Sequence, residues 1–268
     1  MRKGLITTFT FLFLANAQAA MTAPQSGMSV DIHKKSALTK TLSATFMKAA
    51  MNAKEVEQLQ KEVRSHSGKA VPALIDVMKS SKYPDKNRWV ATFLLGQIMG
   101  KKSSPFIVKF LKHPSWVMRM AALKTLLALK ETKYAELYSE SLTDESLIVR
   151  GQALENIRQL NLKSEAPYVW AMLYDKKNYY KAKPKKQSGE VTHKRTHLIK
   201  DVIRTVGDLD FNKAQEPLFK MIQKERYNDI FDDMDYALSQ ILDKKSPDGP
   251  QNIKRRFWKR TALAYTEF

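Results

Sequence analysis

The chain has no cysteine, so no disulfide staples it and no thiol can act as nucleophile, metal ligand or lipid attachment point. Its stability must come from a buried core. Strand signals are equally scarce, with no run of alternating β-branched residues bounded by turn pairs. A glycine-rich phosphate loop, an H-E-x-x-H and a G-x-S-x-G are all missing, which removes the commoner catalytic designs and favours a non-catalytic protein that needs no cofactor and no small-molecule substrate. Acidic residues are few: 27 Asp and Glu stand against 46 Lys and Arg, for a formal net charge of +19. Such a balance calls for an anionic partner without choosing among nucleic acid, lipid headgroups, wall polymers and acidic proteins.

Only one apolar run is long enough to raise a membrane question, and it lies at the amino terminus. Arg2-Lys3, the apolar stretch Leu5 to Ala15 and Ala17-Gln18-Ala19 together form a secretory signal with cleavage after Ala19. The run is too short for a comfortable transmembrane helix. Loss of Arg2 and Lys3 lowers the net charge from +19 to +17. Export without disulfides points to a bacterial periplasm or to secretion.

A repeat occupies the middle of the chain. Arg88, Ala91, Leu95, Ile98 recur as Arg119, Ala122, Leu126, Leu129 and again as Arg150, Ala153, Ile157, Leu160, each step being 31 residues. Spacings of three, four and three put these side chains on one stripe of a helix. A shorter apolar helix precedes each copy, at Val71 to Ile75, Pro105 to Val108 and Tyr134 to Tyr138, so the unit is a helix pair. Weaker copies follow at Val202, Val206, Leu209 and at Ala237, Ile241, behind helices at Pro167 to Trp170 and Glu216 to Phe219. Pro72, Pro105, Pro167 and Pro217 fall near the starts of first helices, where a missing N–H is harmless.

The alternation of a proline-started helix with Val117-Met118-Arg119-Met120-Ala121-Ala122-Leu123 or Ile148-Val149-Arg150-Gly151-Gln152-Ala153-Leu154 resembles the HEAT-repeat family in its short-period bacterial form. The resemblance spans roughly residues 69 to 243 and is clearest in units two and three. It implies an all-α fold: a right-handed α-solenoid of about five helix pairs whose second helices line a concave, protein-binding face. In the family an aspartate often stands six residues before the repeat arginine. Asp144 fills that position before Arg150, but His113 stands there before Arg119 and Lys82 before Arg88, which leaves the implied polar ladder incomplete. Arg88, Arg119 and Arg150 therefore have two readings, as structural ties between units or as ligand contacts.

Residues 20–33 form a polar linker, and two helical segments within 34–67 resemble the atypical end unit that a solenoid needs. Between the helices of unit four, an insertion at 175–193 breaks the period. It carries Lys176, Lys177, Tyr179, Tyr180, Lys181, Lys183, Lys185 and Lys186 with no acid before Glu190. Amines with interleaved rings suit anionic polymers, while a like-charged run also describes a solvated loop. The carboxyl end, residues 244–268, repeats the theme around Arg255, Arg256, Trp258, Lys259 and Arg260. That segment is either an interface or a cover in which Phe257 and Trp258 fold back on the last repeat.

His193 and His197 have helical metal-ligand spacing, but Lys194 and Arg195 lie between them and no carboxylate completes a set. Asp229, Asp232, Asp233 and Asp235 sit where the last second helix should begin, as capping residues would. Two binding readings result: a scaffold for a protein partner with an acidic surface, or direct binding of an anionic envelope component such as the lipid headgroups of a membrane surface, wall polymer or extracellular nucleic acid. HEAT-like repeats also occur in DNA glycosylases, which a secretory signal would separate from the genome. Amino-terminal sequencing of the exported protein is expected to begin at Ala20; a cytoplasmic chain that keeps Met1 would overturn the export reading.

Overall fold

The computed structural model describes residues 36–48, 51–182 and 191–266. The signal segment, the linker and Lys183, Lys185 and Lys186 lie outside the described residues. Helices follow one another in pairs. α1 (Ala37–Phe46) and α2 (Ala53–His66) come first, then α3 (Val71–Lys79) with α4 (Asp85–Met99) and α5 (Ser104–Ile107) with α6 (Trp116–Ala128). α7 (Ala135–Ser141) precedes α8 (Leu147–Gln159), and α9 (Ala166–Ala171) precedes α10 (Thr196–Asp208). α11 (Gln215–Ile222) and α12 (Phe231–Leu242) form the last pair, and α13 (Gln251–Thr266) packs on α11. Second helices α4, α6, α8, α10 and α12 contact one another in sequence, which makes an all-α solenoid.

Local chemistry explains where these helices start and stop. Asn52 and Glu55 form a reciprocal capping box on α2. Pro72, Pro105 and Pro167 occupy the first two positions of α3, α5 and α9, while Pro217 is the third residue of α11. Each second helix ends on a left-handed residue: Gly100, Lys130, Asn161, Asp210 and Asp243, with φ of 54°, 52°, 51°, 55° and 48°. Only the first is glycine, so these stops cost strain that packing has to offset.

Close packing sets the spacing of second helices. A Cβ on Gly207 would lie 2.7 Å from the Ala237 Cα, and one on Gly96 would lie 2.5 Å from Thr125 Cγ2. Buried aliphatic residues of every pair join one continuous core. At the amino end, Asn87 Nδ2 donates to the carbonyls of Phe46 and Lys48, both at 2.8 Å, tying α1 to the first repeat.

Two features depart from expectation. Within the insertion, β1 (Tyr179–Ala182) and β2 (Val191–Lys194) pair antiparallel, with Tyr179 opposite Lys194 and Tyr180 opposite His193. The strands are only four residues each, too short for a periodic signal, and buried Asn178 fixes their entry by accepting the Arg195 backbone N–H through its own carbonyl at 2.9 Å. His193 thus lies on a strand and His197 in the first turn of α10, so the two share no helical face.

The second departure is that the arginine ladder continues where its aspartates are missing. Arg119 Nε and Nη2 donate to the two oxygens of Asp144 at 2.6 and 2.8 Å, and Nη1 donates to the carbonyls of His113 and Pro114. The Asp144 Oδ1 also accepts the Ser146 N–H at 2.7 Å. One unit earlier, Arg88 Nη2 meets His113 Nε2 at 3.1 Å while the Ser115 N–H points at Nδ1 at 3.0 Å. A neutral imidazole has one acceptor nitrogen and cannot serve both donors, whereas a carboxylate can.

Burial, followed by the Arg88 charge, holds the His113 pKa below its ordinary value, with Arg119 adding to this and Asp85 opposing it. Because the folded value lies below the unfolded one near 6.5, the stability that depends on neutral His113 is present above that pH. It is lost as pH falls from there through the depressed folded value. His113→Asp is expected to raise stability by about 1 kcal/mol and to remove this acid sensitivity. Urea unfolding at about pH 5 and about pH 7.5 checks both effects; a less stable variant would show that the ring packing, not the rung, matters.

Candidate binding surface

The repeat arginines are consumed by the fold. Arg88 and Arg150 are each 2 % exposed. Arg88 donates to the Met78 carbonyl through Nε and Nη2 and pairs with Asp85 at 3.1 Å. Arg150 donates to Asn178 Oδ1 at 2.9 Å and to the carbonyls of Asp144, Glu145 and Lys177. Desolvation lowers the Arg150 pKa, as expected for a guanidinium held by neutral oxygens. These side chains tie one unit to the next and present no guanidinium face to a ligand.

Within the insertion, Tyr179 is half-buried and donates its hydroxyl to the Leu173 carbonyl at 2.6 Å. Lys177 reaches back to Glu145 and the Thr143 carbonyl. Tyr180 is exposed, its ring stacked on His193 at 5.4 Å with the Arg195 guanidinium 5.7 Å from its centroid. Lys176 and Lys181 are exposed. An open cleft of about 480 Å³ at the hairpin base is lined by Tyr180, His193, Lys194, Arg226 and Asp229 among others.

The carboxyl segment is the helix α13. Trp258 is completely buried, and its indole N–H donates to Asp235 at 2.7 Å. Lys254 pairs with the same carboxylate at 2.7 Å, which with its hydrogen bond raises the lysine pKa. Arg255 donates to the Ile222 carbonyl at 2.8 Å and to Asn228. Trp258 and Arg255 thus close the solenoid, leaving Arg256, Lys259 and Arg260 on the exposed face.

The aspartate cluster also acts between elements. Asp232 and Asp233 occupy the first turn of α12, but no side chain caps it. Asp233 instead pairs with Arg204 and Lys200 of α10, Asp235 with α13, and Asp229 with Lys194 at 2.6 Å. Among the described residues, no group of three or more His, Cys, Asp or Glu could hold a metal ion.

What composition and repeat spacing did not reveal is an apolar row on the second helices. Trp116 on α6 is 44 % exposed, and Leu147 and Ile148 on α8 are 37 % and 51 % exposed. Trp116 and Leu147 hold the same place, three residues before their repeat arginines. On α4, half-buried Trp89 and Phe93 stack at 6.2 Å. The signal was present in the sequence at the two positions preceding each Val-Arg or Met-Arg pair, where an inward-facing helix start would not expose tryptophan. Farther along the row the exposed face turns charged, through Glu155, Arg158, Asp201 and Arg204.

Residues 71–179 match the family model of HEAT repeats. No curated protein matches the sequence. Among solved structures, the complex of CpcE and CpcF of phycocyanin lyase from Nostoc sp. PCC7120 is similar to it at 15 % identity, with a TM-score of 0.42 over 89 % of this chain and 99 % of that one.

Trp258→Ala is expected to cost about 3–5 kcal/mol, from the lost burial and the carboxylate left behind. Arg256→Glu with Lys259→Glu should change stability by no more than about 0.5 kcal/mol per site. Urea unfolding measures both, and a tolerated Trp258→Ala would mean that α13 does not close the array.

Proposed function

On the premise that residues 71–179 are HEAT repeats, we propose that the chain is an exported, non-catalytic binding protein that holds a protein partner against its second helices. The observation that carries this reading is the exposure of Trp116, Leu147 and Ile148 on adjacent second helices. Neighbouring apolar side chains cost solvation free energy when left in water and regain it under a partner, and large aromatic side chains dominate such interfaces. A rigid helical row also loses little entropy on binding. The net charge of +17 left once Arg2 and Lys3 depart with the signal supports an acidic partner surface, whose approach the field would speed.

A second reading has its own support in the Tyr180, His193 and Arg195 stack, with exposed Lys176 and Lys181 on the same segment of chain. Rings and cations together suit an anionic envelope polymer, bound in a salt-sensitive manner.

Capture by residues 20–268 from envelope extract at low and high salt separates the two. Three proteins are compared: wild type, Trp116→Ala with Ile148→Glu, and Lys176→Ala with Tyr180→Ala and Lys181→Ala. A protein kept at high salt and lost only in the Trp116/Ile148 variant is expected. Retention unchanged in that variant removes the second-helix face from the interface. A polyanion released by salt and lost in the hairpin variant would establish the second reading.

A further inference from the structure

The connections from one helix pair to the next share one edge of the array, because each pair doubles back on itself. Side chains join neighbouring connections there. Arg64 in the last turn of α2 reaches Gln97 in the last turn of α4 at 3.4 Å, the Lys101 ammonium donates to the Lys130 carbonyl at 3.4 Å, and Lys163 lies 3.6 Å from Asp210. Every one of these connections carries an exposed lysine: Lys69, Lys102, Lys133, Lys163, Lys213 and Lys244. The first five stand two or three residues ahead of the following helix. A cation there opposes the helix dipole, where an acid would be favoured, so stabilising the first helices does not account for them.

Acids do not balance this row. Among the described residues, the six connections hold Glu131 and Glu165, both buried, and Asp210, Asp243 and Asp248, which are exposed. Glu131 accepts the Ser104 hydroxyl at 2.8 Å, and Glu165 accepts those of Ser139 and Ser164 at 2.6 and 2.9 Å. The ammonium groups of Lys69, Lys102 and Lys213 have no partner among the described residues. On the opposite edge, by contrast, the turns within pairs carry acids that take up nearby cations: Asp85 with Arg88, Asp144 with Arg119, Glu145 with Lys177 and Asp229 with Lys194. Charge is therefore sorted by edge, with the surplus of cations on the side that joins the pairs.

We propose that this lysine-lined edge binds an extended polyanionic chain laid across successive units. The edge lies apart from the second-helix face and from the hairpin, which grows out of the opposite edge, and the proposal depends on neither reading of those surfaces. Packed helices are spaced by about 9 Å, so six connections offer a row about 45 Å long. A flexible polymer meets that row one amine after another, and each contact made turns the next into an intramolecular event. Folded protein interfaces centre on large aromatic or aliphatic anchors, and surfaces that settle on a bilayer insert such side chains into it. None of the six connections exposes a large hydrophobic side chain. What they present is charge alone, in single file, which suits a chain of anionic groups.

Calorimetric titration of residues 20–268 with long-chain polyphosphate and with tripolyphosphate, at low and high salt, tests this. The long chain is expected to bind far more tightly per phosphate and to be released as salt rises. Lys69→Gln with Lys102→Gln, Lys133→Gln and Lys213→Gln is expected to weaken binding on the order of a hundredfold and to flatten its salt dependence. Lys82→Gln with Lys109→Gln, Lys112→Gln and Lys224→Gln removes the same charge from the turns within pairs and is expected to stay within about threefold of wild type. All eight lysines are exposed, so both variants should fold. Equal losses in the two variants would reduce the effect to net charge and overturn the proposal, as would wild type that ignores the long chain or binds tripolyphosphate equally well per phosphate. Binding lost in the Lys176/Tyr180/Lys181 variant and kept in the edge variant would move polyanion capture to the hairpin and sink the edge. Phosphatidylglycerol vesicles held by wild type and released by the edge variant, with no binding of polyphosphate, would assign the edge to a membrane surface instead.

Discussion

The buried guanidinium is the constraint on which the array depends. Arginine cannot shed its proton and carries five N–H donors in a fixed plane, so placing it between helices demands acceptors in set directions. Each repeat arginine finds some on the chain before or at the start of its own helix and others between the two helices of the next unit. Arg119 joins the His113 and Pro114 carbonyls to Asp144, and Arg150 joins the Asp144 and Glu145 carbonyls to Asn178. That double reach fixes the distance between units and explains why arginine recurs with the helical stripe rather than beside it.

The hairpin grows from the end of this ladder. Asn178 accepts Arg150 through Oδ1, donates to the Met172 carbonyl through Nδ2 at 2.8 Å, and immediately precedes β1. The rung that holds unit three to unit four thus also orients the insertion. A solvated loop would have no such anchor. The solenoid ends are handled by analogous polar ties, with Asn87 on the carbonyls that end α1 and Asp235 shared between Lys254 and the buried Trp258. A stacked array must hide its terminal faces, and in both places one buried polar side chain fixes the covering helix.

With the arginines, Trp258 and most of the aspartates occupied in this way, the surface left for a partner divides in two. The second helices offer an apolar row that turns charged along the array, and the hairpin with the outer face of α13 offers exposed cations. Burial energy favours the first as a source of affinity. Screening by salt limits the second to steering and to polyanion capture.

The helical periods, the 31-residue step and the placement of prolines made the paired-helix architecture legible from the residues alone, because burial on one stripe imposes a local pattern. Composition likewise gave the charge and removed thiol chemistry. Tertiary structure decided what each polar residue does. It completed the ladder at His113 and Asn178, moved Asp233 and Asp235 from capping to tying elements together, buried Trp258 and exposed Trp116. Those outcomes depend on which side chains meet across 20 to 35 residues of chain, and spacing along one helix carries no record of the neighbour that will supply the acceptor.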